Sequence, residues 1–206
     1  NAVECGVDKF IFASTGGAIY GEQDYFPARE EHPKKPTSPY GLSKLSVEGY
    51  LRFYKEQYDL KSIIFRYGNV FGPRQNPNGE AGVVAIFNNR LLKGQAPIIN
   101  GDGEQTRDYI FVRDVVNANL LALKLNDSGT FNVGTGQETS VNELTHLILE
   151  VAESNIKVKN SKKNNFEQRR SCLDYKKLKE SLNWSPKFSL KDGLSETFIF
   201  FKNNGI

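Results

Sequence analysis

The hydrophobic pattern of the first third of the chain predicts a strand, a helix and a second strand. The stretch from Lys9 to Ser14 (KFIFAS) is apolar almost throughout, as expected of a strand covered on both faces. A hydroxyl N-cap at Ser38 and a proline at the first helical position predict a helix to about Tyr58, with apolar positions at Leu42, Leu45, Leu51 and Tyr54. The stretch 62–72 (SIIFRYGNVFG) predicts another buried strand, which ends in a glycine-bearing loop. This order, with its crossover helix, predicts a parallel α/β sheet.

The later part of the chain has shorter elements and predicts a smaller, mixed α/β unit. A loop rich in Pro, Asn and Gly occupies 72–82, and the strand candidates PIIN, DYIFV and TFNVG follow. Helices are predicted near 83–93, 113–125, 140–153, 175–182 and 190–203. The sequence Gly134-Thr-Gly136 after TFNV has Thr139 where a dinucleotide-binding fingerprint has its third glycine, so we predict an ordinary loop there.

Composition and charge narrow the class of protein. Of the 206 residues, 38% are hydrophobic and 25% are charged, and no apolar run approaches the ~20 residues that cross a bilayer, so no membrane partner is expected. Cys5 and Cys172 offer neither a disulfide framework nor metal-ligand spacing, which favours a cytoplasmic location. His32 and His146 lie far apart and near no acidic cluster, so no metal site is expected.

The one basic stretch, KVKNSKKNN at 157–165, is interpreted as a solvated loop. The net charge of the chain is only +3. The stretch has no interleaved aromatic residues, and no helix-turn-helix or RNA-binding signature lies nearby. We therefore expect no nucleic-acid partner.

Two Tyr-x-x-x-Lys pairs are candidates for acid–base chemistry. Residues four apart lie on the same helix face, so Lys44 can favour the phenolate of Tyr40 through its positive charge. A free tyrosine has a pKa near 10 and is a poor base at neutral pH without such help. Tyr175 and Lys179 have the same spacing, so spacing alone leaves both pairs open, as well as the interpretation that each is an ordinary surface pair.

Three segments in order carry a family resemblance: FASTGGAIYGE, SPYGLSKLSVEGY and RYGNVFGPRQ. Together with GEAGVVAIF, GDGEQTRDYIFVRDV, FNVGTG, RRS and LNWSPKFSLKDGL, they resemble the extended short-chain dehydrogenases/reductases of the NAD-dependent epimerase/dehydratase family. Within that family they are most similar to the UDP-glucose (UDP-galactose) 4-epimerase group. The resemblance covers essentially the whole chain and favours Tyr40 and Lys44 as the functional pair.

The resemblance implies a two-part fold. Residues 1–80 are then the C-terminal part of a Rossmann-type parallel sheet. Residues 81–206 are mainly a smaller mixed α/β substrate-binding domain, from which some segments return to the sheet. It also implies that roughly 100 residues with the Gly-rich NAD loop precede this sequence in family members, on the scale of three βαβ units. We accordingly expect poor NAD binding by the chain alone.

The resemblance also implies roles for individual residues. Tyr40 takes the proton of the sugar 4-hydroxyl while NAD takes the hydride, and Lys44 binds the nicotinamide ribose. Thr15 hydrogen-bonds the sugar, with Ser14 as the reserve because the extra glycine makes the register uncertain by one. Gly68 offers backbone to the nicotinamide side. The implied substrate contacts are Thr15, Asn69, Gly82, Val83, Ile98, Asn100, Arg107, Glu167 and Ser171.

Three details refine the implied pocket. Asn164 stands where the family has a second diphosphate arginine, and Lys162 or Lys163 could compensate. Arg107 is alternatively a surface arginine paired with Asp108 or Asp114. Ser171 lies four residues beyond the implied ribose-binding acid, where a small residue is typical of enzymes that also accept N-acetyl sugars.

The resemblance also predicts the reaction and the assembly. Dehydratases of the family carry an Asp-Glu pair after the threonine, whereas this chain has Gly16 and Gly17, which move no proton. We therefore expect NAD-dependent 4-epimerisation of a UDP-hexose. Another dehydratase or decarboxylase activity, or a non-catalytic nucleotide-sugar-binding chain, remains the alternative. The family commonly pairs subunits through the Tyr-bearing helix and the helix before it, which would end near Val7. A homodimer is thus expected for the full-length enzyme and weak pairing for this chain.

Overall fold

The structure is a computed structural model that describes residues 1–78, 82–162 and 168–205. Its strands are β1 (Lys9–Thr15), β2 (Lys61–Tyr67), β3 (Asn69–Phe71), β4 (Ile98–Asn100), β5 (Thr106–Arg107), β6 (Tyr109–Phe111), β7 (Gly129–Val133), β8 (Thr139–Ser140) and β9 (Lys159–Ser161). Its helices are α1 (Gly16–Tyr20), α2 (Pro39–Tyr58), α3 (Val83–Leu92), α4 (Val112–Ala122), α5 (Val141–Val151), α6 (Lys176–Leu182) and α7 (Leu190–Asn204). None of the described helices has the length and apolar character needed to cross a membrane.

The main sheet is parallel, as the sequence predicts. Its described strands are ordered β1-β2-β7, and Thr15 at the end of β1 pairs with Tyr67 at the end of β2. The strand β7 comes from the later part of the chain and pairs with Ile63 to Tyr67 of β2. The carboxyl ends of β1 and β2 therefore meet at one edge of the sheet, where ligands of open parallel α/β sheets bind.

Local capping sets the helix boundaries. The Ser38 hydroxyl accepts a hydrogen bond from the Gly41 N–H at 3.1 Å and begins α2, and Asp59 in the left-handed conformation ends it. Ser140 and Glu143 form a reciprocal capping box at the start of α5. The predicted helices agree with the observed ones to within three residues at their ends. Serine hydroxyls cap the starts of α2, α5 and α7, whereas α3, α4 and α6 begin without a side-chain cap.

Two apolar clusters support the fold. One lies between the main sheet and helices α4 and α6, and its buried members include Ile63, Phe65, Ile110, Phe131, Leu178 and Trp184. The other joins α3, α5 and α7 to the short strands and includes Phe71, Val84, Phe87, Leu144, Ile148 and Leu194. The short strands pair as β3 with β6, β4 with β9 and β5 with β8, among the described residues.

The prediction that β1 is covered on both faces is wrong for this structure. Phe10 is 38% exposed and Ala13 is also exposed. Among the described strands β1 pairs only with β2, so it lies at the edge of the sheet. Just before it, the Val7 N–H bonds the Ala2 carbonyl and the Gly6 N–H bonds the Val3 carbonyl, which is the pattern that ends an α-helix.

Candidate active site

Tyr40 and Lys44 lie on one face of the first turns of α2, beside the end of β1. The Lys44 ammonium donates to the Ala13 carbonyl at 2.8 Å and lies 5.0 Å from the centre of the Phe12 ring. The same ammonium lies 5.7 Å from the centre of the Tyr40 ring. Tyr40 is 55% exposed, and within the described residues its hydroxyl makes no hydrogen bond. The phenol is therefore accessible to a ligand and has a cation beside it.

The second pair has different surroundings. Tyr175 precedes α6 as its N-cap, and its ring packs edge-on against the buried Trp184 with centroids 5.8 Å apart. Lys179 is exposed in the last turn of that helix. The Tyr175 ring thus contributes to the core cluster under the sheet, which favours a structural role for this pair.

The two hydroxyls at the end of β1 have different partners. Ser14 is buried, and its hydroxyl donates to Glu48 Oε1 at 2.7 Å. Thr15 is half-buried, and its hydroxyl accepts a hydrogen bond of 3.5 Å from the Ala18 N–H at the start of α1. Because successive strand residues point to opposite faces, the two hydroxyls cannot serve the same site. The Ser14 hydroxyl is used in the protein interior, so the geometry favours Thr15.

A buried ion pair, which the sequence interpretation did not include, anchors α2 to the sheet. Arg66 of β2 donates from Nε to Glu48 Oε1 at 2.9 Å and from Nη2 to Glu48 Oε2 at 2.5 Å. Its Nη1 donates to the Tyr20 hydroxyl and to the Glu30 carbonyl. Burial raises the pKa of Tyr20 to about 12, against the opposing effect of the Arg66 charge. The sequence did carry a signal: Glu48 follows Lys44 by four residues, and Arg66 interrupts an apolar strand.

Two glycines allow the close approaches that shape the site. A Cβ on Gly41 would lie 2.4 Å from the Ala18 carbonyl oxygen, so only glycine lets the first turn of α2 approach α1 this closely. A Cβ on Gly68 would lie 2.7 Å from the Asp108 carbonyl oxygen. Gly68, expected on the nicotinamide side, therefore has a packing role as well.

The structure brings several of the expected substrate residues onto adjacent elements. Asn69 begins β3 and pairs with Tyr109, two residues after Arg107. The Asn69 N–H donates to the Asp108 carbonyl at 2.7 Å, and the Arg107 guanidinium donates to the Thr106 carbonyl at 2.8 Å. The Asp108 carboxylate accepts hydrogen bonds from Thr135, Gly136 and Leu173, and the Asp114 carboxylate accepts from the N–H groups of Lys187 and Phe188. Asn69 and Arg107 therefore lie close together at one end of the short strands β3 and β6.

The remaining expected contacts are more scattered. Gly82 and Val83 begin α3, and Ile98 and Asn100 lie on β4, where the Asn100 side-chain oxygen accepts from the Ser161 hydroxyl. Glu167, Asn164 and Lys163 lie outside the described residues, and Lys162 is exposed.

Ser171 is buried beside the glycine pair of α1. It is 2% exposed, and a Cβ on Gly17 would lie 3.2 Å from its hydroxyl oxygen. A Cβ on Gly16 would lie 2.5 Å from the Leu173 side chain. The glycine pair after Thr15 therefore packs α1 directly against the segment that carries Ser171.

Comparisons with known proteins identify the family. The family model described as the NAD dependent epimerase/dehydratase family matches residues 1–134. A putative UDP-glucose 4-epimerase of Methanocaldococcus jannaschii is 48% identical over 198 residues, which are 96% of this chain and 64% of the relative.

Solved structures give the same result. The UDP-glucose 4-epimerase of Thermotoga maritima, solved with UDP-glucose, superposes with a TM-score of 0.97 at 48% identity. The superposition includes 100% of this chain and 67% of the Thermotoga chain. The UDP-glucose 4-epimerase of Thermus thermophilus, in complex with NAD, has a TM-score of 0.92 at 41% identity, with coverages of 98% and 67%. The chain spans about two thirds of the length of these relatives.

Proposed function

Because the chain belongs to the NAD dependent epimerase/dehydratase family, we propose that the protein catalyses the NAD-dependent 4-epimerisation of a UDP-hexose. The observation that carries the proposal is the accessible Tyr40 phenol beside the Lys44 ammonium, at the end of β1 where Thr15 lies. The similarity to UDP-glucose 4-epimerases supports it.

Each of the three side chains has a distinct task in this proposal. The positive charge of Lys44 favours the phenolate of Tyr40, which takes the proton of the sugar 4-hydroxyl and becomes the neutral phenol. Thr15 donates or accepts a hydrogen bond at the same sugar oxygen and so fixes its position relative to Tyr40. After the intermediate 4-keto sugar has turned over in the pocket, Tyr40 returns the proton.

The residues present fit NAD on the nicotinamide side. The Lys44 ammonium has three N–H donors, one of which binds the Ala13 carbonyl, so the others can bind ribose hydroxyls. Tyr40 and the backbone near Gly68 lie at the same carboxyl edge of the sheet. When bound, NAD supplies the reversible hydride acceptor that the epimerisation needs.

The pair Gly16 and Gly17 favours epimerisation over dehydration. Eliminating water from a sugar needs an additional acid and base, and a glycine provides neither. In the structure both glycines belong to α1 and pack against the Ser171–Leu173 segment, so larger acidic side chains would displace that segment. Dehydration or decarboxylation is therefore the weaker alternative.

The substrate contacts follow the same reasoning. Arg107 and Asn69 bind the diphosphate, where a permanently charged guanidinium is well suited. Gly82, Val83, Ile98 and Asn100 contact the uridine, Glu167 binds its ribose, and Ser171 lies beside the sugar C2 substituent. A serine there leaves room for an acetamido group, so the substrates include UDP-glucose, UDP-galactose and their N-acetyl forms.

The test compares the two tyrosines in the holoenzyme, that is, the full-length enzyme loaded with NAD. Tyr40→Phe keeps the ring and removes the base, so turnover of UDP-galactose should fall by about 10²–10⁴ while circular dichroism stays unchanged. Tyr175→Phe is the matched control and should leave turnover unchanged. Equal losses in the two variants would contradict the assignment.

The alternative from another class is a non-catalytic chain that binds a nucleotide sugar. An absorbance and intact-mass measurement of the purified protein shows whether NAD is bound. If the full-length protein cannot be loaded with NAD and still binds a UDP-hexose in calorimetry, this alternative is correct and the epimerase proposal is wrong.

The proposed enzyme is a cytoplasmic homodimer. The face of α2 that points away from the sheet carries exposed apolar side chains, namely Leu42, Tyr50, Phe53, Tyr54 and Tyr58. A soluble monomer rarely leaves so many large apolar side chains on one helix face uncovered. The unpaired state of Cys5 and Cys172 supports the cytoplasmic location.

A further inference from the structure

Asp108 has a fully buried carboxylate that is held entirely by hydrogen-bond donors of the chain. Its Oδ1 accepts from the Thr135 N–H and from the Thr135 hydroxyl, both at 2.7 Å. Its Oδ2 accepts from the N–H groups of Gly136 and Leu173, both at 3.1 Å. Burial raises the pKa of Asp108, and these hydrogen bonds oppose the rise. Four donors occupy the four acceptor positions of one carboxylate.

The backbone around Asp108 is shaped to accept it. A Cβ on Gly134 would lie 2.5 Å from Asp108 Oδ2, and a Cβ on Gly68 would lie 2.7 Å from the Asp108 carbonyl oxygen. Both distances are shorter than any van der Waals contact, so a larger residue at either position would displace Asp108. The loop after β7 and the start of β3 therefore pack directly on this residue.

Three segments that meet at Asp108 also carry residues of the proposed substrate site. They are the residues just before Asp108, the start of β3, and the segment 171–173. Arg107 precedes it in the chain, the Asn69 N–H donates to its carbonyl at 2.7 Å, and Leu173 lies two residues after Ser171. The first two residues belong to the proposed diphosphate side of the pocket and Ser171 to the proposed hexose side.

The geometry points to Asp108 as a positioning residue, which fixes the diphosphate-binding residues Arg107 and Asn69 relative to the hexose-binding segment at Ser171. This inference rests on the proposed function. Tyr40, Lys44 and Thr15 form no hydrogen bond with Asp108 among the described residues. Loss of the Asp108 contacts should therefore weaken binding of the nucleotide sugar and leave the rate of the bound complex nearly unchanged.

The experiment measures kcat and KM for UDP-galactose in the holoenzyme, and the affinity for UDP by calorimetry. Asp108→Asn turns one acceptor oxygen into a donor that faces two other donors, so KM should rise about tenfold or more, with kcat within about threefold of wild type. Thr135→Val removes a single donor and is compatible with folding, so KM should rise about threefold to fivefold. Thr130→Val is the matched control and should change neither constant, because Thr130 lies on β7, before the Thr135 loop, and makes no hydrogen bond to Asp108 among the described residues.

The outcomes separate this inference from the proposed function. An unchanged KM in folded Asp108→Asn, or a kcat that falls as much as KM rises, overturns the positioning role. If Asp108→Asn does not fold, Thr135→Val decides in the same way. If the wild-type protein binds UDP but turns over no UDP-hexose, and Asp108→Asn loses UDP affinity, the proposed function is wrong and the positioning role stands. Equal UDP affinity in wild type and variants, or none in any of them, overturns it.

Discussion

Replacing Arg66 by methionine should destabilise the fold strongly, because it leaves the Glu48 carboxylate buried without its cation. The two side chains are only 4% and 7% exposed, and Arg66 makes two hydrogen bonds to Glu48 and two more to the Tyr20 hydroxyl and the Glu30 carbonyl. Breaking a buried pair of this kind costs about 3–5 kcal/mol. With a urea m-value of about 2 kcal/mol/M, the unfolding midpoint should fall by roughly 2 M.

The double variant Glu48→Leu/Arg66→Met tests the physical reason for this loss. It removes both charges and fills the site with apolar side chains of similar volume, so it should be more stable than Arg66→Met alone. Lys55→Ala, in the exposed pair of Lys55 and Asp59, is the matched control and should leave the midpoint unchanged.

Urea unfolding followed by circular dichroism measures all these variants. A midpoint for Arg66→Met equal to that of wild type would show that the pair does not support the fold. A double variant that loses the sum of the losses of Arg66→Met and of the single variant Glu48→Leu would show that packing volume, and not the unpaired charge, explains the result.

Three further predictions concern specificity, assembly and alkaline stability. Ser171→Tyr should suppress turnover of UDP-N-acetylglucosamine and leave that of UDP-glucose, and loss of both reactions, or of neither, would show that Ser171 is not the gate. Tyr50→Glu, on the exposed face of α2, should shift the sedimentation coefficient of the holoenzyme from dimer to monomer, and an unchanged dimer would place the interface elsewhere. Burial raises the pKa of Cys172 from 9.0 to about 12 and that of Tyr20 from 10.0 to about 12, so the unfolded chain loses these protons first and stability is lost as the pH rises above 9. The urea midpoint should fall between pH 9 and pH 11, and it should fall less in Cys172→Ala. In the folded protein the exposed Cys5 should react with a thiol reagent and the buried Cys172 should not.

The helix boundaries could be predicted from sequence because the signals that set them are local. Ser38 and Pro39 lie directly before the observed start of α2, and the same kind of hydroxyl cap is found at Ser140 and Ser189. The parallel pairing of β1 and β2 followed from their order and from the length of the helix between them. Family membership followed from motifs spread along the whole chain.

The buried polar contacts could not be predicted, because they join residues that are distant in sequence. Glu48 and Arg66 are 18 residues apart, and Asp108 and Leu173 are 65 apart. A charge in a sequence is usually solvated, and the charge of Arg66 within an apolar strand does not by itself identify Glu48 as its partner. The exposure of β1 and the burial of Ser171 depend on which elements pack beside them, and the hydrophobic pattern of a single segment does not contain that information.

The comparison of Tyr40 with Tyr175 shows why spacing alone could not distinguish the proposed catalytic pair from the other one. Both tyrosines precede a lysine by four residues, but only Tyr40 begins a stripe that continues to a buried anchor on the same helix. Along that stripe Tyr40 is 55% exposed, Lys44 is half-buried with its ammonium on the Ala13 carbonyl, and Glu48 is buried against Ser14 and Arg66. Two bonds thus tie the helix to β1 at consecutive residues, Ala13 and Ser14, directly before Thr15. The Tyr40 phenol is thus exposed on a helix whose position beside β1 is fixed by the Lys44–Ala13 and Glu48–Ser14 hydrogen bonds.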